Sequence, residues 1–273
     1  MATGVGLLGC GAIGQELARA IQAGEAGGAR LVALFDQVEG LAASVAGGLD
    51  GAVLGTDSIG DFLAAPGLDM VVECASPHAV RAHAEAVLDA GKDLLMMSSG
   101  ALADPDLAEH LAALAERGGR RLIVPSGALG GIDAIRAAKG RLDRVTLTTT
   151  KPPRGLAGAP GFAEWETKEI SEPTVVFEGP AVEAVKLFPA NVNVAATLSL
   201  AGLGAKETRV KVVADPNSTV NVHEIEAVGS LGTLRFRMEL LPHERNPKTS
   251  FLAIVSAVEA LRAASTPGIR VGT

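Results

Sequence analysis

Through the first half of the chain, short apolar runs alternate with longer segments whose apolar residues recur every three or four positions. "GVGLLG" (4–9), "ARLVALFD" (29–36), "LDMVVECAS" (68–76), "KDLLMMSS" (92–99) and "RRLIVPSG" (120–127) carry apolar residues in succession, without alternation. That pattern belongs to strands buried on both faces. Between them, "QELARAIQAG" sets Leu17 and Ile21 one turn apart and stops at Gly24, and "HAVRAHAEAVLDAG" closes at Gly91. "DPDLAEHLAALAERGG" opens with Asp104 as N-cap and Pro105 at the first helical position. Strands each followed by a helix predict a parallel sheet covered on both sides.

The pattern changes near residue 140. "RVTLTTT" (144–150), "TVVFEG" (174–179), "ETRVKVVAD" (207–215), "STVNVHEIEAVG" (218–229) and "TLRFRMELL" (233–241) alternate in part and read as half-buried strands. The tight "GSLG" turn makes the last two an antiparallel pair. "NVNVAATLSLAGLG" (191–204) reads as a helix, and "KPPRGLAGAPG" (151–161) as a long loop with hinge glycines, a candidate lid holding Lys151 and Arg154. "TSFLAIVSAVEALRAAS" (249–265) is an amphipathic helix with Phe251, Ile254, Val255, Val258 and Leu261 on one stripe, expected to return to the first domain. The expected division is residues 1–126 plus 245–273 for an α/β dinucleotide-binding domain, and 127–244 for an α+β domain with a mixed sheet.

Composition narrows the partners. Charged residues are 20% and hydrophobic ones 48% of the 273, which suits packed globular domains rather than disorder. A net charge of −7, with aromatics at 3% and no Tyr, argues against nucleic acid. No stretch approaches the ~20 unbroken apolar residues of a membrane span, and "MATGVGLLGCGAIG" lacks the basic start of a signal peptide. Cys10 and Cys74 are too few for a disulfide framework, so the cytoplasm is the expected compartment. There is no HExxH, Cys/His cluster or EF-hand spacing, so no metal site is expected.

The chemistry begins at "GLLGCGAIG". Gly9, Gly11 and Gly14 have the GxGxxG spacing, directly after a strand and at the start of a helix. Gly9 would allow the tight turn, Gly11 the close approach of a pyrophosphate, and Gly14 close helix–strand packing, with Ala12 and Ile13 at the helix start. Asp36 ends the second strand, about 20 residues on, where a carboxylate holds the adenosine ribose. A Rossmann-type sheet binding NAD or NADP follows, with Asp36 favouring NAD by repelling a 2′-phosphate. Ala75, Ser76 and Pro77, after a later strand, would line the cofactor. Cys74 reads as a small buried thiol, and His78, His83, His110 and His243 as surface residues.

Seven segments together, "GCGAIG", "ECASPHAV", "MSSGAL", "PSGALGGIDAIRAAK", "TTKPPRGL", "FPANVNVAATLSLAGLG" and "VKVVADPNSTVNVHEIEAVGSLG", resemble the L-aspartate dehydrogenase family, in order from about residue 4 to residue 262. The resemblance implies a homodimer that oxidises L-aspartate with NAD or NADP to iminoaspartate, which hydrolyses to oxaloacetate and ammonia or feeds NAD biosynthesis. It implies His223 as the catalytic histidine, and Ala128 and Asn193, with Asn191 close behind, as cofactor contacts.

On its strand, His223 shares a face with Thr219, Asn221, Ile225 and Ala227, while Glu224 and Glu226 face the other way. Val220 and Val222 interrupt the alternation, which a bulge near 221 would accommodate. An imidazole titrating near neutrality would serve as acid and base. A dicarboxylate substrate calls for cations or neutral donors, with Lys151, Arg154, Ser98 and Ser99 as candidates. Competing readings are a two-domain reductase of dihydrodipicolinate reductase or homoserine dehydrogenase type, and a non-catalytic NAD-binding sensor.

Overall fold

In the computed structural model, residues 2–189, 193–243, 246–269 and 271 are described, with the side chains of 242–249 excepted. Six strands, β1 (Thr3–Leu8), β2 (Ala29–Phe35), β3 (Leu54–Thr56), β4 (Met70–Glu73), β5 (Asp93–Met96) and β6 (Leu122–Ile123), form a sheet in the order β3-β2-β1-β4-β5-β6. Every neighbouring pair is parallel. Connections α1 (Ala12–Gln22), α2 (Leu41–Gly47), α3 (Ile59–Leu63), α4 (Pro77–Asp89) and α5 (Pro105–Gly118) supply the crossovers that parallel strands require. The strand order reverses between β1 and β4, and ligands of open α/β sheets bind outside the strand ends at such a point.

This unit gathers residues up to Ala101, the segment Asp106–Pro125, and the segment Ile254–Arg270. The C-terminal helix, Phe251–Ser265, puts Ile254, Ala257, Val258 and Leu261 into the same apolar cluster as Leu17, Ile21 and Leu31. Burying a side chain such as Leu261 stabilises by roughly 1.5–3 kcal/mol. The buried stripe is narrower than the periodicity suggested: Phe251 and Val255 are exposed. Residues 254, 257, 258 and 261 repeat at helical spacing, while 255 sits about 100° away from 254.

The second unit holds Ser126–Ala253 and Leu102–Pro105. Its sheet comprises β7 (Leu142–Lys151), β8 (Thr174–Pro180), β9 (Arg209–Ala214), β10 (Asn221–Gly229) and β11 (Gly232–Leu240), in the order β11-β10-β7-β9-β8. It is mixed: β7 and β9 run parallel and the other pairs antiparallel. Helices α6 (Ile132–Ala137), α7 (Pro153–Leu156), α8 (Ala181–Leu187) and α9 (Asn193–Ala201) accompany it, with a small two-stranded sheet of Pro242–His243 and Asn246–Ser250. Ile135, Ala184, Ala195 and Leu198 join Val145, Leu147, Val210, Val212 and Ile225 in one core. α9 is buried almost all round, which is why an apolar run with little periodicity becomes a helix.

The β10–β11 hairpin turns over Ser230 and Leu231, between the paired Gly229 and Gly232. Among the described residues only glycines have positive φ, and Gly232 (φ +108°) supplies it here. Pairing of β10 is continuous from Asn221, and its one irregularity against β7 falls at Val228/Gly229, so the bulge considered near 221 is absent.

The 151–161 segment departs from the loop reading. Lys151 ends β7, Pro153–Leu156 makes one helical turn, and a 3-10 turn spans Pro160–Trp165. Leu156, Ala159 and Phe162 are core residues, so apolar anchors hold a stretch whose Pro and Gly content suggested a lid. Among the described residues no helix is long and apolar enough to cross a membrane.

Candidate active site

The glycine-rich turn is built by close contact. Gly9 has φ +114° and donates its N–H to Phe35 O at 2.8 Å. A Cβ at Gly14 would stand 2.0 Å from Gly9 O, and one at Gly9 would stand 2.8 Å from the Ala75 Cβ. Nothing lies within 4 Å of a Cβ built on Gly11. That open space fits a pyrophosphate, which a side chain would fill. Gly11 caps α1 without a side-chain bond, and the first N–H groups of a helix have no partner inside it, which makes them an anion site.

Asp36 is fixed beside the turn. Its Oδ2 accepts the Cys10 N–H at 2.8 Å and its Oδ1 the Val38 N–H at 3.0 Å. Each carboxylate oxygen keeps a further lone pair for a ribose hydroxyl. Gly9, Gly11, Asp36, Ala75 and Ser76 line one pocket, whereas Ala12, Ile13, Gly14 and Pro77 are not among its lining residues. Pro77 opens α4, and the Ser76 hydroxyl caps that helix by accepting the Ala79 N–H at 3.1 Å. His78 and His83, read from the sequence as surface residues, also line the pocket. His83 packs edge-on against Phe35 at 5.3 Å, and burial, then His78, lowers its pKa. The Cys10 thiol is pushed up to about 12, by burial first and Asp36 second, so it stays protonated.

Sequence reasoning passed over Glu73, which is buried at the end of β4. Its Oε1 accepts the N–H groups of Ala75 and Ser76 and the Ser98 hydroxyl, each at 2.9 Å, and its Oε2 accepts the Ser98 N–H at 3.0 Å. One carboxylate thus ties the loop after β4 to the loop after β5. Desolvation raises its pKa against these hydrogen bonds. Both donors of Ser98, a candidate substrate contact from the sequence, are thus engaged by Glu73.

In the second unit, His223 lies on the inner face of β10 and is 3% exposed. Glu224 and Glu226 turn outward, to Arg237 and to Arg144 and Arg235. Thr219 precedes the strand, so the shared face begins at Asn221. His223 pairs with Thr149 of β7, and the Thr149 Oγ1 lies 3.2 Å from Nδ1. Its pKa is lowered to about 3, by burial first and the Lys151 charge second. The neutral-range titration expected from the sequence is therefore corrected: the ring is uncharged at pH 7.

Lys151 is 2% exposed at the end of a core strand, not in a solvated loop, while Arg154 is exposed. Ala128 belongs to this unit's apolar core. Asn193 is the first residue of α9 and half-buried. Asn191 and the His243 side chain lie outside the described residues. His110 is exposed, 3.1 Å from Glu85. Among the described residues no group of three or more His, Cys, Asp or Glu could hold a metal ion.

A doubly wound sheet with this turn and carboxylate, joined to an α+β unit carrying a buried histidine, defines a two-unit dehydrogenase of the nicotinamide dinucleotide class. Residues 9–125 match the model described as homoserine dehydrogenase, NAD binding domain, and residues 133–264 the one described as aspartate dehydrogenase, C-terminal. The L-aspartate dehydrogenase of Methanosarcina acetivorans is 46% identical over 98% of this chain and 99% of its own length. That of Nitrosopumilus maritimus is 41% identical with the same coverage. A crystal structure of aspartate dehydrogenase from Thermotoga maritima superposes with a TM-score of 0.78, at 28% identity, over 99% of this chain and all of that one. The chain belongs to the L-aspartate dehydrogenase family.

Proposed function

We propose that the chain is an NAD(P)-dependent L-aspartate dehydrogenase, and that the first unit binds the dinucleotide while the second processes the amino acid. The observation that carries this reading is the buried, uncharged His223, in a segment that matches the aspartate dehydrogenase C-terminal model. Gly11 and the start of α1 would hold the pyrophosphate, and Asp36 the adenosine ribose, with Ala128 and Asn193 as further cofactor contacts. Bound NAD(P)⁺ supplies the acceptor for the hydride that leaves the aspartate Cα. The product of that step is iminoaspartate, which water converts to oxaloacetate and ammonia.

An uncharged imidazole has a free nitrogen to accept a proton, and it is a weak base for as long as burial and the Lys151 charge hold its pKa near 3. Thr149 holds Nδ1 and so sets the ring plane, leaving Nε2 to take a proton from the water that attacks the imine carbon. The same nitrogen then returns that proton to the departing amine. We further propose that the protein is a homodimer working in the cytoplasm, which sedimentation velocity and cell fractionation would test.

The deciding assay follows NADH oxidation with oxaloacetate plus ammonia, beside dihydrodipicolinate and aspartate semialdehyde. Turnover only with the first pair is expected, and turnover only with either of the others would overturn the reading. His223→Ala should lower kcat by roughly 10²–10⁴, the span for a lost general acid–base group, at unchanged NADH affinity. Near-normal turnover in that variant would make the histidine structural.

A further inference from the structure

The inner face of the second sheet changes character along its length. Val145 faces Ala227 and Leu147 faces Ile225 across β7 and β10, an apolar floor. The next pair on that face is Thr149 with His223. One step beyond the last registered pair, Thr150 with Val222, come Lys151 and Asn221. Directly opposed residues of antiparallel strands point to the same side, so these four polar residues form one cluster. All are buried: Thr149 at 0%, Lys151 and Asn221 at 2%, and His223 at 3% exposure.

Burying polar groups, and above all a lysine, costs folding free energy. A sheet that continues its apolar floor would avoid that cost. Local packing also places the lysine. On the β9 side Lys151 faces Ala214, a small residue, and a Cβ built on Gly155 would lie 3.7 Å from the Lys151 Cβ. The one-turn helix α7 thus sits against the lysine stem, and the residue as a whole is shut off from solvent. The cluster is rich in donors: three on an ammonium, two on the Asn221 amide, and one on a hydroxyl.

We infer that Lys151, with Asn221 beside it, is the anchor for a carboxylate of the substrate and selects a dicarboxylic amino acid over a monocarboxylic one. This rests on the proposed dehydrogenase reading and deepens it. An ammonium in a site closed to water binds a carboxylate through charge-assisted hydrogen bonds, stronger than neutral ones. Lys151 also acts electrostatically on His223. A carboxylate bound at Lys151 would offset that positive charge, so the imidazole would become a stronger base when substrate is present.

The test uses Lys151→Met, which keeps the stem without the charge, and Lys151→Arg, which keeps the charge. Succinate is the non-reacting dicarboxylate probe, titrated calorimetrically in parallel with propionate. Lys151→Met should raise the L-aspartate KM and the succinate Kd by roughly 10- to 100-fold, the range for a lost charged hydrogen bond. NAD⁺ affinity should not change, propionate binding should stay weak throughout, and Lys151→Arg should recover part of the loss. Unchanged KM and succinate Kd in folded Lys151→Met would overturn the anchor, as would a fall in kcat alone. If Lys151→Met fails to fold, Lys151→Arg decides, because a rigid guanidinium in a site shaped for an ammonium should still shift succinate Kd. Wild-type protein that binds succinate but never turns over aspartate would fault the dehydrogenase reading alone. Wild-type turnover with indifferent lysine variants would fault this inference alone.

Discussion

Glu73 shows how one buried side chain can hold two loops. It accepts four hydrogen bonds, from residues 75, 76 and 98. Glu73→Gln replaces one acceptor oxygen with an N–H₂ group, which meets a donor in either orientation. The expected cost is roughly 1–3 kcal/mol, that of an unsatisfied buried group. NAD⁺ affinity should fall too, because Ala75 and Ser76 line the pocket. Urea denaturation and a fluorescence titration with NADH would measure the two effects, and a variant with wild-type values for both would remove Glu73 from its positioning role. Nothing in "ECASPH" distinguishes such a carboxylate from a surface one, since the donors that satisfy it include Ser98, 25 residues away. His223 was more legible, because Glu224 and Glu226 flank Ile225 on its strand and mark the outward face.

Among the elements, α1 depends most on a single atom's absence. A Cβ on Gly14 would meet Gly9 O at 2.0 Å, a backbone atom that cannot step aside without opening the turn. Gly14→Ala should therefore weaken NAD⁺ binding at least tenfold, despite alanine's better helix propensity of about 1 kcal/mol. Gly11→Ala meets nothing in the free protein, so it should leave Tm near wild type while still weakening cofactor binding. Thermal melts with and without NAD⁺ separate the two cases, and equal Tm loss for both would contradict the assignment. Parallel strands buried on both faces, and helices closed by Gly24 and Gly91, could be read directly because their signals are local. The segment after Lys151 could not. Its Pro and Gly residues speak for a loop, while Leu156 and Phe162 are drawn into the core by contacts with distant helices, and tertiary packing prevailed.

For the whole molecule, the burial of His223 ties stability to pH. Its pKa falls from 6.5 to about 3 on folding, so the unfolded chain binds the proton more readily. The sign follows: this contribution is complete above about pH 6.5 and is lost as pH drops toward about 3. At about 1.36 kcal/mol per pH unit, roughly 2–3 kcal/mol should go between pH 6.5 and pH 4.5. His223→Asn should flatten the stability profile over that interval, and parallel slopes in urea titrations of variant and wild type would refute the link. The change in strand pattern near residue 140 marks the second sheet, but the bounds expected from it differ from the observed units, in which residues 102–105 and 246–253 fall in the second rather than the first. The parallel pairing of β7 with β9 was not visible, because register across a long crossover is decided by packing rather than by any local signal.

The position of the C-terminal helix has a consequence for synthesis. Ile254, Val258 and Leu261 complete the core around Leu17, Ile21 and Leu31, whose own strands and helices are all made before residue 126. A ribosome adding 5–20 residues per second needs roughly 7–30 s to cover that gap. During that interval the first-made half carries an uncovered apolar groove, while the second can close its sheet. The half translated first is then the last to mature, and nascent chains of this protein would lean on chaperones for their opening segment.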